Sequence, residues 1–267
     1  MDQYINYLQD HFARSANNVE YPEATYKSAS LLIPQFNRLL KKLTNHQLLT
    51  RKVIEFETKH SKYLLEKLEQ SGSDKGNRHH YHIFYSYIFE KLGINNKLRI
   101  LEVGLGTNNP KLLSTMGIGG TPGASLRAFR DFLPNANIYG ADIDRDILFE
   151  EERIKTSFVD QLNAESFEEL GFDTESFDLI IDDGLHSIGA NFNTLLYALD
   201  HVSDGGWIVI EDIHSSSNRF WEVIDFFLHS QTNFESAMIQ CRKSLIYAVH
   251  KPVSQLRPLN EKTLNKR

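Results

Sequence analysis

The sequence predicts an α/β protein with a doubly wound, mostly parallel sheet and a helical extension in front of it. Strand-like and helix-like segments alternate from residue 82 to residue 249, an order typical of parallel strands joined by helices. Several strand-like segments, such as 177–181 and 207–210, are short and apolar, as expected for strands that are covered on both faces. Before residue 70, apolar residues recur at helical spacing instead.

Residues 1–70 are expected to form the helical extension. Its apolar residues recur in two groups: Ile33, Phe36, Leu39, Leu40 and Leu43, then Val53, Ile54, Tyr63, Leu64 and Leu68. The turn-rich segment 71–77 follows, and a domain boundary is expected there. The extension is expected to act in oligomerisation or as a lid, residues 71–250 to form the main domain, and residues 251–267 to form a polar tail.

The elements of the main domain follow one another in a regular order. Helices are expected at 82–92, 125–133, 164–170, 191–201 and 217–229. Strands are expected at 98–103, 137–141, 154–159, 177–181 and 207–210, with a closing hairpin at 236–240 and 245–249. In the last helix, Trp221 and the neighbouring phenylalanines fit core packing of an amphipathic helix.

The composition argues against several classes of protein. The chain has 267 residues and a formal net charge of −6, so the basic surface that nucleic-acid binding requires is not expected. Its one cysteine, Cys241, cannot form an internal disulfide, which fits a reducing compartment. The first residues do not resemble a signal peptide, and no apolar run approaches the ~18 residues of a membrane helix. We therefore expect a cytoplasmic protein without a nucleic-acid partner or membrane insertion.

Two carboxylate-rich segments directly follow two of the predicted strands. Asp182 and Asp183 come after one strand, and Glu211 and Asp212 come after the next. Because ligands of open α/β sheets bind at the carboxyl ends of the strands, the four acids are expected to share one crevice. Like charges at close range raise one another's pKa. A positive partner is therefore expected among them.

A glycine-rich turn follows the first predicted strand. Gly104 and Gly106 would let a ligand approach the backbone closely, and Asp142 ends the next strand, where an acid can bind ribose hydroxyls. A dinucleotide fingerprint needs a third glycine, but Asn109 stands at that place. Glu102 would also repel a pyrophosphate. A cationic ligand that carries a ribose therefore fits better than a dinucleotide.

The order of these motifs resembles that of the class I S-adenosylmethionine-dependent methyltransferases, and within them the macrocin and mycinamicin sugar O-methyltransferases. The matching segments lie between residues 71 and 215: Ser73-Asp74-Lys75, His80-Tyr81, Glu102-x-Gly104-x-Gly106, Gly123-Ala124-Ser125-Leu126-Arg127, Tyr139-Gly140-Ala141-Asp142, Asp182-Asp183-Gly184-x-His186 and Ile210-Glu211-Asp212. The resemblance implies a Rossmann-like methyltransferase fold with S-adenosylmethionine as cofactor. The cofactor-binding residues that it implies are Glu102, Gly104, Gly106, Ser125, Asp142, Asp160, Gln161 and Asp182.

The same resemblance implies a magnesium ion held by Asp183, Glu211 and Asp212, with His186 as general base. A hard cation makes a bound hydroxyl more acidic, magnesium prefers oxygen ligands, and a histidine can take a proton near neutral pH. Leu185 stands where a serine is common, which would reshape the pocket without removing a ligand. The expected reaction is methyl transfer to an oxygen of a sugar-containing or similar polar acceptor, in surface-glycan or natural-product biosynthesis.

Other interpretations stay open at this point. The chain could be a metal-independent methyltransferase for oxygen or nitrogen, or, in other classes, a nicotinamide-dependent oxidoreductase or a non-catalytic cofactor-binding module. The sequence does not fix the roles of five further polar residues: Lys75, His79, His80, His82 and His214. The extension, the glycine-rich segment 108–122 and the residues after His214 are expected to select the acceptor. The amphipathic N-terminal helices also favour a homo-oligomer.

Overall fold

The computed structural model describes residues 46–112, 114–172 and 176–253, together with five positions between residues 35 and 42. Four residues of the first apolar group of the predicted extension lie outside the described residues: Ile33, Phe36, Leu40 and Leu43. The same holds for residues 254–267 of the predicted tail. Among the described residues, none of the helices has the length and apolar character needed to cross a bilayer.

Nine strands form one sheet in the described part of the chain. They are β1 Thr50–Lys52, β2 Arg99–Val103, β3 Asn137–Asp142, β4 Glu150–Glu151, β5 Ile154–Phe158, β6 Phe177–Asp182, β7 Val202–Ile213, β8 Glu235–Gln240 and β9 Leu245–His250. Their order across the sheet is β1-β8-β9-β7-β6-β2-β3-β5-β4. The five central strands β5, β3, β2, β6 and β7 run parallel, whereas β9 runs antiparallel to both β7 and β8. The predicted mostly parallel sheet and its closing hairpin are therefore confirmed.

Six α-helices lie within the described ranges. They are α1 Ser61–Ser71, α2 Tyr81–Leu92, α3 Ala124–Phe132, α4 Glu165–Glu168, α5 Ile188–His201 and α6 Asn218–Gln231. Each of the five helices predicted for the main domain is present, although α4 is only four residues long. The chain turns soon after it, at Gly171, whose φ of 66° is left-handed and suits a residue without a Cβ atom.

The strands alternate their side chains between two apolar cores, one on each face of the sheet. Ile100 and Ile181 pack into one core with Leu64, Phe84 and Phe129 of α1, α2 and α3. The residues next to them in the strands point the other way. Leu101, Val103 and Ile180 pack with Leu195 of α5 and with Trp221 of α6, which is fully buried. The fully covered central strands explain why their sequences read as short apolar runs.

The structure differs from the sequence prediction at residues 50–56. These residues were expected to continue the helical extension, but Thr50–Lys52 forms an edge strand parallel to β8, and Val53–Phe56 forms a single 3-10 turn. Charged residues such as Arg51 and Lys52 are common on edge strands, where they oppose further pairing. Helix α1 packs on α2 and α3, so residues 50–71 belong to the same packed body as the main domain. The role of the extension as a lid or oligomer surface stays a prediction.

Candidate active site

The candidate site lies where the sheet changes direction. From β2 the chain builds outward through β3 to β5, and it then returns to the other side of β2 to form β6 and β7. Neighbouring loops at the carboxyl ends of β2 and β6 therefore leave on opposite faces, which opens a crevice between them. The glycine turn after β2 and the acid-rich segment after β6 both lie at this crevice.

A pocket opens between these loops. Residues from four strand ends and from the glycine-rich segment line it: Val103, Gly104, Gly106, Thr107, Lys111, Leu112, Ser114, Ala141, Asp142, Ile143, Val159, Asp160, Gln161, Leu162, Asp183, Gly184 and Leu185. Five of the eight residues implied as cofactor contacts are among them. The segment 108–122 contributes Lys111, Leu112 and Ser114, which sequence reasoning did not name individually.

Three of the implied cofactor residues lie behind the pocket wall instead. The fully buried Glu102 carboxylate accepts a hydrogen bond of 2.6 Å from the Ser125 hydroxyl. The equally buried Asp182 accepts hydrogen bonds from the side-chain amides of Gln161 and Asn191, at 2.9 and 3.1 Å. Glu102, Ser125 and Asp182 therefore support the pocket from within the protein, and nothing in the described geometry brings them to its surface.

The glycine turn is shaped by the loop beside it. Gly104 has a φ of 98°, and a Cβ atom on it would lie 2.1 Å from the backbone oxygen of Asp183. The turn is also held by Asp142, whose carboxylate accepts a hydrogen bond of 2.7 Å from the backbone N–H of Leu105. Burial raises the pKa of Asp142, although backbone N–H donors act in the opposite direction. The packing of the neighbouring loop alone therefore requires glycine at position 104.

Gln161 joins the loop after β5 to the acid-rich segment. Its side-chain N–H group donates to Asp182 and to Thr194, both at 2.9 Å, and its carbonyl accepts a hydrogen bond of 2.8 Å from the backbone N–H of Leu185. A Cβ atom on Gly184 would lie only 2.0 Å from that carbonyl oxygen. Gln161 therefore fixes the wall of the pocket, in addition to lining it.

We expect Gln161→Leu to lower the free energy of unfolding by about 1–3 kcal/mol, because buried polar partners would lose their hydrogen bonds. Urea unfolding would measure the change. Gln231→Leu is the matched control, since Gln231 is exposed at the end of α6, and a substitution there should change stability by less than about 0.5 kcal/mol. Equal effects of the two substitutions would contradict this role of Gln161.

Lys75 lies among the predicted acids. It is only 2% exposed, and its ammonium lies 2.5 Å from the Asp183 carboxylate, 2.6 Å from that of Glu211 and 3.1 Å from that of Glu102. Burial alone would lower the pKa of Lys75, but the three carboxylates outweigh burial and raise this pKa well above its ordinary value. The ammonium supplies part of the positive charge that the acids were expected to need.

The cluster still holds more acids than cations in its own side chains. Burial, together with the charge of Asp183, raises the pKa of Glu211 well above its ordinary value. Burial also raises the pKa of Glu102, although Lys75 acts against the rise. One ammonium therefore does not fully compensate these carboxylates, and the site favours either further positive charge or bound protons.

Asp183, His186 and Asp212 form a second group beside Lys75. One ligand atom from each lies within 4.8 Å of the others. The Nε2 atom of His186 is 3.9 Å from Asp183 Oδ1 and 3.8 Å from Asp212 Oδ2. The other oxygen of each aspartate is held, by Lys75 for Asp183 and by the hydroxyl of Tyr81 for Asp212. The remaining two oxygens therefore face a common space, and paired carboxylate oxygens fit a hard divalent cation such as magnesium.

Glu211 differs from the two aspartates. It is 1% exposed, one of its oxygens accepts a hydrogen bond from the Tyr85 hydroxyl, and the other is paired with Lys75. Of the three implied metal ligands, Asp183 and Asp212 thus come together with His186, while Glu211 lies behind them with both oxygens occupied. Tyr81 and Tyr85, one turn apart on α2, were missed in these roles because buried tyrosines usually indicate core packing.

The backbone of the group is locally strained. His186 and Asp212 have φ values of 56° and 50°, in the left-handed region that residues other than glycine rarely adopt. The pairing of β7 with β9 shifts register between Ile210 and Ile213, so the strand is irregular where Asp212 lies. Strained residues and bulges often occur at functional sites.

The four histidines whose roles the sequence left open lie in different parts of the structure. His79 lies 3.7 Å from Asp212 and 3.5 Å from Asp74, so it borders the acid group. His80 precedes α2 with a φ of 66°, and its ring contacts that of His82, whose pKa is lowered by burial. His214 is exposed. Among the described residues, two groups of three His, Cys, Asp or Glu side chains bring ligand atoms within 4.8 Å of one another, and neither group includes His79, His80 or His82.

Comparisons with known proteins find similarity to methyltransferases. A family model described as a methyltransferase domain matches residues 117–213. The mycinamicin VI 2''-O-methyltransferase of Micromonospora griseorubida is 38% identical over 121 residues, which are 45% of this chain and 28% of that protein. The demethylmacrocin O-methyltransferase of Streptomyces fradiae is 37% identical over 121 residues, with the same coverage. The matched region thus spans less than a third of either relative's length.

A crystal structure gives a longer match. The MycE methyltransferase of the mycinamycin biosynthetic pathway, in complex with Mg and SAH, superposes with a TM-score of 0.56 and 25% identity. The superposition covers 71% of this chain and 55% of that one. The chain therefore has the class I methyltransferase fold and is related to the macrocin and mycinamicin O-methyltransferases.

Proposed function

We propose that this protein transfers the methyl group of S-adenosylmethionine to a hydroxyl oxygen of a sugar-containing small molecule or glycan. The relatives named above are O-methyltransferases, and another similar protein is a 3'-O-methyltransferase of a rhamnosyl tetracenomycin, which supports the acceptor class. The similar crystal structure is a complex with Mg and SAH, which supports the cofactor. A surface glycan as acceptor, a cytoplasmic location and a homo-oligomer formed through the N-terminal helices belong to the same proposal.

One observation carries the proposal: Asp183 belongs to both halves of the site. It lines the pocket expected to hold the cofactor, and it lies beside His186 and Asp212. An acceptor hydroxyl held at these side chains would therefore lie next to a methyl group presented from the pocket. Bringing the two reactants together in this way supplies a large part of the acceleration of a transfer reaction.

His186 is the residue that we assign to proton removal. Its Nε2 atom faces the space shared with the two aspartates, and its buried Nδ1 atom has no hydrogen-bond partner among the described residues. Asp183 and Asp212 would hold a magnesium ion, which when bound makes an acceptor hydroxyl more acidic.

A metal-independent O-methyltransferase is the second candidate, and Lys75 favours it. Its ammonium already neutralises part of the acid cluster, and it occupies one oxygen each of Asp183 and Glu211. In that case Asp183 and Asp212 would position the acceptor and His186 directly. The two candidates differ in whether magnesium binds at these carboxylates.

Calorimetric titration with S-adenosylmethionine, in magnesium and in chelator, tests both candidates. We expect cofactor binding in either buffer, and magnesium binding that Asp212→Ala weakens. A nicotinamide dinucleotide should give no heat, because the pocket lacks the third glycine of a dinucleotide site. No heat with S-adenosylmethionine would overturn the proposed function. Cofactor binding with no magnesium binding in the wild type would leave only the metal-independent candidate.

Methyl transfer tests the acceptor class directly. Transfer from isotopically labelled S-adenosylmethionine to a panel of 6-deoxyhexose glycosides would be followed by mass spectrometry. We expect a methyl ether on a sugar oxygen, and loss of this product in Asp212→Ala. Cofactor binding without transfer to any of these glycosides would count against the sugar acceptor and leave the cofactor assignment intact.

A further inference from the structure

A second metal-capable group lies outside the candidate active site, with which it shares no residue. It consists of His46, Asp225 and His229, and one ligand atom from each lies within 4.8 Å of the others. Asp225 and His229 are four residues apart on α6, so they share one face of the helix. His46 precedes β1 and reaches this face from a distant part of the chain.

The carboxylate of Asp225 is oriented for a ligand role. Asp225 is 1% exposed, and its Oδ1 atom accepts hydrogen bonds from the hydroxyls of Ser236, at 2.5 Å, and Tyr247, at 3.1 Å. Its Oδ2 atom instead faces the imidazoles, 2.6 Å from His46 Nε2 and 3.7 Å from His229 Nδ1. Metal-binding carboxylates are commonly held by such outer hydrogen bonds, which fix the free oxygen toward the ion.

The two imidazoles are also held in place. Their ring centroids are 5.1 Å apart, and the ring of His46 makes an edge contact with Phe226 at 5.8 Å. His229 Nδ1 donates a hydrogen bond of 2.9 Å to the backbone carbonyl of Asp225, so its Nε2 atom keeps the lone pair that a metal ion would use. His229 is the most exposed of the three, at 39% of its side chain. Solvent access on this side leaves room for a fourth, non-protein ligand.

We propose that His46, Asp225 and His229 bind a divalent transition-metal ion of the zinc class. Two imidazoles and one carboxylate are a ligand set that zinc accepts, with bond lengths of about 2.0–2.2 Å and water in the fourth position. In the metal-free chain, the short contact between His46 and Asp225 is a hydrogen bond, and the ion replaces its proton. Bound metal joins the segment before β1 to α6 and to the closing hairpin.

The alternative is an ion pair or hydrogen bond between His46 and Asp225 with no metal. That pair accounts for two of the three residues and for the direction of Asp225 Oδ2. It leaves His229 with only its hydrogen bond to the Asp225 backbone carbonyl and its ring contact with His46. Metal binding accounts for all three side chains.

Zinc titration of the full chain, after removal of metal with chelator, tests the inference. The Asp183→Asn/Asp212→Asn double variant serves as background, because it removes the first metal-capable group. We expect this background to bind one equivalent of Zn²⁺, and cobalt to give the visible absorption of a low-coordinate Co²⁺ site. His46→Gln and His229→Gln should each weaken Zn²⁺ binding at least about 10-fold and abolish the thermal stabilisation that zinc confers.

His250→Gln is the matched control, because His250 also lies beside a carboxylate, 3.3 Å from Glu235, but outside both groups. It should leave zinc binding unchanged. Circular dichroism of each variant would confirm folding. His46→Gln and His229→Gln both keep the buried Asp225 in place. Zinc binding that survives both His46→Gln and His229→Gln, or no zinc binding in the background variant, would overturn the proposal.

Discussion

Replacing His186 with glutamine is expected to lower kcat for methyl transfer by about 10²–10⁴-fold, the usual contribution of a positioned general base. Glutamine keeps much of the size and polarity of the imidazole but cannot accept the proton. Cofactor binding should not change, because His186 does not line the pocket. The measurement is single-turnover transfer to a glycoside acceptor, together with calorimetric titration of S-adenosylmethionine.

His201→Gln provides the control for this experiment. His201 lies at the end of α5, where its ring hydrogen-bonds the carbonyl of Tyr197 and stacks on the ring of that residue. It contacts neither the pocket nor the acid group, so kcat should stay close to that of the wild type. Full activity in His186→Gln would exclude His186 as the base, whereas joint loss of transfer and cofactor binding would indicate a role in the structure of the loop.

The parts of the site that the sequence predicts are those carried by strand ends. A buried parallel strand has a recognisable composition, and its carboxyl end must face the crevice. These two rules are enough to bring Asp183 and Asp212 together, although about thirty residues separate them in the chain. The same rules cannot say which acids reach the surface. Asp182 and Glu211 each stand next to one of these aspartates, yet both turn inward to buried partners.

The role of Lys75 could not be predicted from the sequence by physical reasoning. Lysine is among the residues least often buried, and Lys75 lies in a turn 108 positions before Asp183. Strand β1 is a similar case, because three residues carry no clear periodicity and their partner strand is far along the chain. Both depend on contacts between distant segments, and only the folded structure determines such contacts.

Lys75→Met is expected to destabilise the fold by about 3–5 kcal/mol, as removal of one partner from a buried ion pair typically does. Methionine fills a similar volume, so the loss should come from the buried carboxylates of Glu102 and Glu211 and the partly exposed carboxylate of Asp183, which would all lose their cation. Urea unfolding measures the change. Lys97→Met is the control, because Lys97 is exposed.

The destabilisation of Lys75→Met should depend on pH. Burial raises the pKa values of Glu211 and Glu102 above the ordinary value of 4.5 while Lys75 opposes the rise, so removing Lys75 raises these folded-state values further. The folded variant then binds more protons than its unfolded chain, and its stability must fall as pH rises above 4.5 through the raised values. We therefore expect the variant to lose less free energy of unfolding, relative to the wild type, at about pH 5 than at about pH 8.

A double substitution separates charge from packing at Lys75. Adding Glu211→Gln to Lys75→Met removes one of the uncompensated charges and should recover part of the lost stability, giving a favourable coupling energy in a double-mutant cycle. Lys75→Arg, which keeps the charge, should fold if Lys75→Met does not. A deficit independent of pH and of Glu211→Gln would mean that the Lys75 side chain acts by packing. The acid cluster would then depend on protons or a bound metal ion, rather than on the ammonium, for its neutralisation.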